Sequence, residues 1–237
     1  MSESAQLSVQ LQVQGRSCVV VGGGAVAVRR TRRLLQAGAR VRVIAPSLHQ
    51  DFDELDASEL LHIERRVFEP ADLDPITTAG ETQSPKVLFV IVATNDPAVN
   101  NQVGALCTEA GILVNRADMA HAGDVSFPAT LHWGSVTIAV SDSEGSPALS
   151  QWVARRVDAS LESVLGLTSE QGEQLAEVIA QVRQELQAAR SSADGSRRDV
   201  TFDAPDWRSA LDESILVLVR MGRCAEAKER LLACLSS

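Results

Sequence analysis

Val19-Val20-Val21-Gly22-Gly23-Gly24-Ala25-Val26-Ala27 decides how this chain is read. β-Branched residues end a short apolar run, three glycines follow, and small residues open an amphipathic stretch. That order is strand, turn, helix. Residues 22–27 match G-x-G-x-x-A, with Gly22 and Gly24 as the key glycines and Ala27 in the last slot. The first glycine permits a tight turn, the second lets backbone N–H groups approach a pyrophosphate, and the last small residue lets helix and strand pack closely. The free N–H groups and the helix dipole then favour an anion. Gly22, Gly24, Ala25 and Val26 are therefore candidate cofactor-binding residues. The competing reading is a glycine-rich turn with no ligand.

Outward from this turn, short apolar runs alternate with helical patterns. Strands are expected at 18–22, 40–45, 61–67, 87–93 and 112–115, with helices at 25–37 and 97–110. The rhythm implies an α/β fold with a parallel sheet covered on both faces. Thr77–Pro85 is polar and rich in breakers, as a surface loop would be. Beyond residue 116 the pattern changes. Two β-prone runs, 125–131 and 135–141, flank His132-Trp133-Gly134 and suggest a hairpin. Ser146 and Pro147 start a long helix as cap and first helical residue. Thr168-Ser-Glu-Gln171 is a capping box that opens another. Ser191–Pro205 reads as a connection, and two last helices are expected near 207–219 and 223–235. The expected organisation is 1–117, a Rossmann-type domain; 118–165, a hairpin and active-site region; and 166–237, a helical domain.

The chain has 237 residues, and its 22 basic and 31 acidic side chains leave a net charge of −9. Hydrophobic residues make up 45%, enough for a real core, but there are only five Phe, three Trp and no Tyr. An acidic chain with few stacking platforms is not built for nucleic acid. No apolar run is long enough to span a bilayer, and the N-terminus lacks the pattern of a signal peptide. The four cysteines, Cys18, Cys107, Cys224 and Cys234, have no metal or disulfide spacing. They are expected as small buried hydrophobes in a cytoplasmic protein, and no metal site is expected.

The end of the second strand should carry an acidic residue for the adenosine ribose. Here the stretch is Ala45-Pro46-Ser47, so Pro46 and Ser47 take that place and a serine hydroxyl can supply one hydrogen bond. NAD and NADP are not distinguished by this pattern. Arg40 and Arg42 are expected as solvated edge charges. Thr94, Asn95 and Asp96 end the fourth strand beside the glycine turn and join the cofactor candidates.

Several ordered strings together resemble the precorrin-2 dehydrogenase family, which comprises the siroheme-synthase N-terminal module and its stand-alone relatives. They are Val19–Arg30, Leu34–Ala39 and Val43–Pro46; Ala93-Thr-Asn-Asp96 with Asn100; Val114-Asn-Arg-Ala-Asp118, similar to the family's Val-Asn-Val-Val-Asp; and Phe127-Pro128, Ile138–Ser141 and Ser146-Pro147. The resemblance covers roughly residues 7–165. It implies NAD-dependent oxidation of precorrin-2 to sirohydrochlorin by a homodimer, with iron insertion added in some members. By the same resemblance Asp118, just past the fifth strand, is the acid/base candidate, and His121 stands three residues on. Arg116 and Arg155, with Arg156, are candidates for the substrate's carboxylates, as are Ser141 and Ser146 beside a helix N-terminus. Ser141–Pro147 departs from the family's Ser-x-Gly-Gly-x-Ser-Pro: Ser143 and Glu144 replace the glycines, and Asp142 stands where Ser is frequent. Two other readings stay open, a nucleotide-sensing regulatory module and a dimer that has lost catalysis.

Overall fold

The computed structural model describes residues 6–74, 86–142, 146–193 and 206–236. Its contacts divide the chain into two compact units, 1–127 and 128–237, where the sequence reading drew three segments.

The first unit is a five-stranded parallel sheet in the order β3-β2-β1-β4-β5. The strands are β1 (Ser17–Val21), β2 (Arg40–Ile44), β3 (Leu61–Glu64), β4 (Val87–Val92) and β5 (Leu113–Arg116). β1 is central and every one of its residues is buried. Its side chains alternate between two cores: Cys18 and Val20 join one, Val19 and Val21 the other. Continuous Val/Ile runs are what a sheet covered on both faces requires. Helix α1 (Ala25–Gln36) buries Ala27, Val28, Thr31 and Leu34, and stops before Gly38, whose φ is +74°. Helix α2 (Pro97–Ala110) buries Asn100, Val103, Gly104 and Cys107 and ends on Gly111 in the left-handed conformation. The strand order reverses between β1 and β4, and an open α/β sheet binds ligands at such a point.

The second unit holds an antiparallel hairpin, β6 (Ala129–Trp133) and β7 (Val136–Val140), then α3 (Pro147–Leu165), α4 (Ser169–Ala193), α5 (Trp207–Ala210), α6 (Glu213–Arg220) and α7 (Cys224–Leu235). Its own core gathers Trp133, Val178, Val182, Ile215, Val219 and Leu231. Trp133 lies flat enough on α4 that a Cβ on Gly172 would sit 2.5 Å from its ring. The expected capping box is formed: Gln171 N–H donates to the Thr168 hydroxyl at 3.2 Å, and Thr168 N–H donates to the Gln171 side chain at 3.0 Å. No helix among the described residues is long and apolar enough to cross a membrane.

The structure corrects several boundaries. The hairpin turns at Gly134-Ser135, with Trp133 opposite Val136, because Gly134 takes a φ of +54° and its N–H is held by the Ser169 hydroxyl. The third strand stops at Glu64, short of Val67. The helix expected over 207–219 is two helices, because the Asp212 carboxylate accepts from Ile215 N–H and starts α6 afresh. Cys18 and Cys107 are buried, and burial pushes their thiols up to about 12 and about 11, but Cys234 is exposed. The loop expected at 77–85 lies outside the described residues, as does 194–205 of the expected connection.

Arg42 is not a solvated edge charge. Its side chain is largely buried, donates to the Asp72 carbonyl, and lies 3.8 Å from Glu64. Asp72 is itself buried and accepts from Glu69 N–H at 2.8 Å and from Arg66 at 2.9 Å. Burial pushes its carboxyl up, but the Arg66 and Glu69 hydrogen bonds prevail and hold it below the ordinary value. The fold therefore favours the charged form. That stability is complete above the ordinary Asp range, about pH 4, and fades as acid titrates the folded group. Asp72→Asn is expected to cost about 2 kcal/mol at pH 7, with the gap to wild type narrowing at low pH, as read by urea unfolding across pH.

Candidate functional site: a glycine-turn cleft and a buried arginine–aspartate pair

The glycine turn between β1 and α1 is set by close contacts. Gly22 has a φ of +126°, and a Cβ there would lie 2.3 Å from the Ala93 carbonyl oxygen. A Cβ on Gly23 would lie 2.0 Å from the Ser47 carbonyl oxygen. Gly24 differs, because nothing comes within 4 Å of its Cβ position. It precedes α1 with extended backbone and no side-chain cap, so the first-turn N–H groups face outward without intrahelical partners. An open space in front of unsatisfied donors is what a pyrophosphate needs. The residues present thus fit a dinucleotide.

The cleft here has a volume of about 470 Å³. Gly22, Gly24, Pro46, Ser47, Thr94, Asn95 and Asp96 all line it, whereas Ala25 and Val26 do not. Gly23, His49, Val67 and Phe68 also line it and were missed. Gly23 carries a visible signal, being the middle of a glycine run. His49 gives none: it is brought in by its N–H, which donates to the Gly23 carbonyl at 2.7 Å. Val67 was expected to end the third strand, and Phe68 was not singled out. Both follow the end of that strand and are held beside the cleft by the Arg66–Asp72 pair.

A buried polar line runs from the cleft. Asn100 lies on α2 and is 1% exposed. Its amide contacts the Thr94 hydroxyl at 2.6 Å and donates to the Thr94 carbonyl at 3.1 Å. Asn100 also acts on Asp118, helping to hold its carboxyl down. Asp96 caps α2, accepting from Ala98 N–H at 2.8 Å. Arg116, at the end of β5, donates to both oxygens of Asp118, from Nε at 2.9 Å and Nη2 at 2.8 Å. The Arg116 fork, first among several causes, holds the Asp118 carboxyl down at about 2. Arg116 was expected to meet substrate carboxylates. It is only 6% exposed, and its fork is taken by a carboxylate of the chain itself. His121 is exposed in the short turn Ala120–Ala122, and no hydrogen bond among the described residues joins it to Asp118.

The remaining candidates, Ser141, Ser146 and Arg155, belong to the second unit. Ser146 caps α3, its hydroxyl accepting from Leu149 N–H at 3.4 Å. Asp142 accepts from Ser146 N–H and from the Ser150 hydroxyl, each at 2.9 Å. The anion position expected at this helix N-terminus is therefore filled by the chain's own carboxylate. Ser141 and Arg155 are exposed. Ser143 and Glu144 lie outside the described residues. No group of three or more His, Cys, Asp or Glu side chains suited to a metal occurs among the described residues.

The two key glycines should separate in experiment. Gly24→Ala is expected to melt like wild type and to bind NAD about tenfold or more weaker, because its methyl enters the space facing the helix N–H groups. Gly22→Ala is expected to lower the melting temperature as well. Calorimetric titration with NAD and thermal melts check both.

Residues 9–129 match a family described as "Putative NAD(P)-binding". The chain is 31% identical over 229 residues to the siroheme synthase of Nitrosococcus oceani, covering 97% of this chain and 44% of that protein. It is 35% identical over 144 residues to the precorrin-2 dehydrogenase of Priestia megaterium, covering 61% of this chain and 65% of that protein. A solved structure named "SirC, precorrin-2 dehydrogenase" superposes with a TM-score of 0.63 at 25% identity, over 95% of this chain and 98% of the other. The chain spans less than half the length of the siroheme synthases it matches. With the glycine turn, the parallel sheet and the hairpin-plus-helices unit all present, the chain belongs to the family of siroheme-synthase N-terminal modules and precorrin-2 dehydrogenases.

Proposed function

We propose that this chain oxidises precorrin-2 to sirohydrochlorin with NAD as the acceptor, in the biosynthesis of siroheme or cobalamin. The observation that carries the reading is the polar line Thr94–Asn100–Asp118, which ties the dinucleotide cleft to a carboxylate at the end of β5. Bound NAD supplies the hydride acceptor. The chain's own work is binding and positioning. Gly22–Gly24, at the N-terminus of α1, would hold the pyrophosphate, Pro46 and Ser47 would border the adenosine, and Val67 and Phe68 would give an apolar wall. Thr94 and Asn95 face the cleft from the end of β4. The substrate loses a hydride and a proton, and Asp118 is the acid/base group that faces this loss.

A carboxyl held at about 2 is a weak proton acceptor near neutrality. That observation favours a second reading, an NAD-binding chain with little turnover. The two separate in one assay, in which precorrin-2 and NAD are supplied and NADH and sirohydrochlorin are followed by absorbance. The first reading expects both products. Asp118→Asn is then expected to lower turnover by at least ~10²-fold with NAD affinity unchanged. Tight NAD binding without NADH formation supports the second.

We also infer a homodimer built on the second unit, where Val136 of β7 and Leu149 and Trp152 of α3 are exposed apolar side chains. Sedimentation should give a dimer, and Trp152→Arg should shift it towards monomer.

A further inference from the structure

We propose that Arg116 is a positioning residue that fixes the orientation and charge of the Asp118 carboxylate. This rests on the assignment of Asp118 made above. A guanidinium that is almost wholly buried is tolerated only where its donors are met. At Arg116 the Nε and Nη2 donors are met, by Asp118 at two points and by the Asn101 side chain, which accepts from Nη2 at 3.1 Å. Helix α2 is shaped around the pair. Asn100 acts on the carboxylate and Asn101 holds the guanidinium. Gly104 leaves the room, because a Cβ there would lie 3.3 Å from Nη1 of Arg116. One face of one helix thus forms a socket for both partners.

The geometry has a chemical consequence. A two-point fork fixes the plane of a carboxylate, which a single ammonium does not. Arg116 is the charged group acting on Asp118 among the described residues. His121 stands nearby in sequence but is exposed and not joined to it. Asp118 is therefore presented as a fixed anion. When a hydride leaves the substrate ring system, positive charge develops there, and a preorganised anion stabilises it. The proton that must also leave passes to Asp118 and from there to solvent, because a carboxylate held by the Arg116 fork keeps it only briefly.

The test uses Arg116→Met, which keeps the length and removes the charge, and Arg116→Lys, which keeps the charge and removes the fork. In Arg116→Met the Asp118 carboxyl, followed by carbon NMR and assigned with Asp118→Asn, is expected to titrate upward into the ordinary carboxylate range. The acid limb of kcat/KM should rise with it, and kcat should fall about a hundredfold, with KM for NAD unchanged. Arg116→Lys is expected to keep the low titration and still lose kcat. A wild-type titration and wild-type kcat in Arg116→Met would overturn the proposal. If Arg116→Met does not fold, wild-type kcat in Arg116→Lys would overturn it. Wild type that forms no NADH defeats the dehydrogenase reading, while the NMR titration still decides whether Arg116 holds Asp118.

Discussion

At Gly22 the backbone passes so close to the Ala93 carbonyl that no side chain fits between them. Much of the first unit depends on that approach. It brings the end of β1 against the end of β4, at the point where the strand order reverses. It sends the chain directly into α1, so the helix N-terminus opens onto the cleft. The neighbouring contact, Gly23 on the Ser47 carbonyl, draws the end of β2 onto the same turn, and the His49 N–H fastens it there. One backbone constraint therefore collects the ends of three strands around a row of free N–H groups. Binding of a dinucleotide is a property of this main-chain arrangement more than of any polar side chain.

Charge is distributed with similar economy. With a net charge of −9, the polyanionic substrate proposed above was expected to meet a local set of arginines, Arg29, Arg30, Arg116, Arg155 and Arg156. Several of those arginines have other partners. Arg116 is bound to Asp118, and Arg30 lies 3.9 Å over the Phe127 ring, with burial as the main cause lowering its guanidinium to about 10. Outside that set, Arg42 and Arg66 are engaged around Asp72 and Glu64. Arg29 and Arg155 are exposed, and Arg156 is exposed beside Trp152, so these members of that set face solvent.

The fold was legible because its signals are local. Helix α2 matched its expected limits, since Asp96-Pro97 starts a helix and a left-handed Gly111 stops it. The α1 turn and the Thr168 capping box were readable for the same reason. Asp212 was passed over because a carboxylate inside an apolar pattern is ordinarily a solvated residue, and nothing nearby in sequence marks it as a cap. The cleft was legible on its glycine side and not on its wall, because Val67 and Phe68 are placed by a half-buried ion pair between residues 66 and 72. The Arg116–Asp118 pair did carry a signal. Residues two apart at a strand end share a side of the sheet, so a cation and an anion at that spacing could have been paired. Asn100 was quoted in the sequence and left unassigned, because only the fold shows that it acts on both Thr94 and Asp118.

Asp142 has a consequence for recognition. The carboxylate that braces the capped end of α3 is tethered four residues before the Ser146 N–H it binds. A group on so short a tether acts at an effective concentration in the millimolar range or above. Any free carboxylate arriving at that helix end competes with an internal ligand that never diffuses away. An outside carboxylate would reach this helix end only by displacing Asp142.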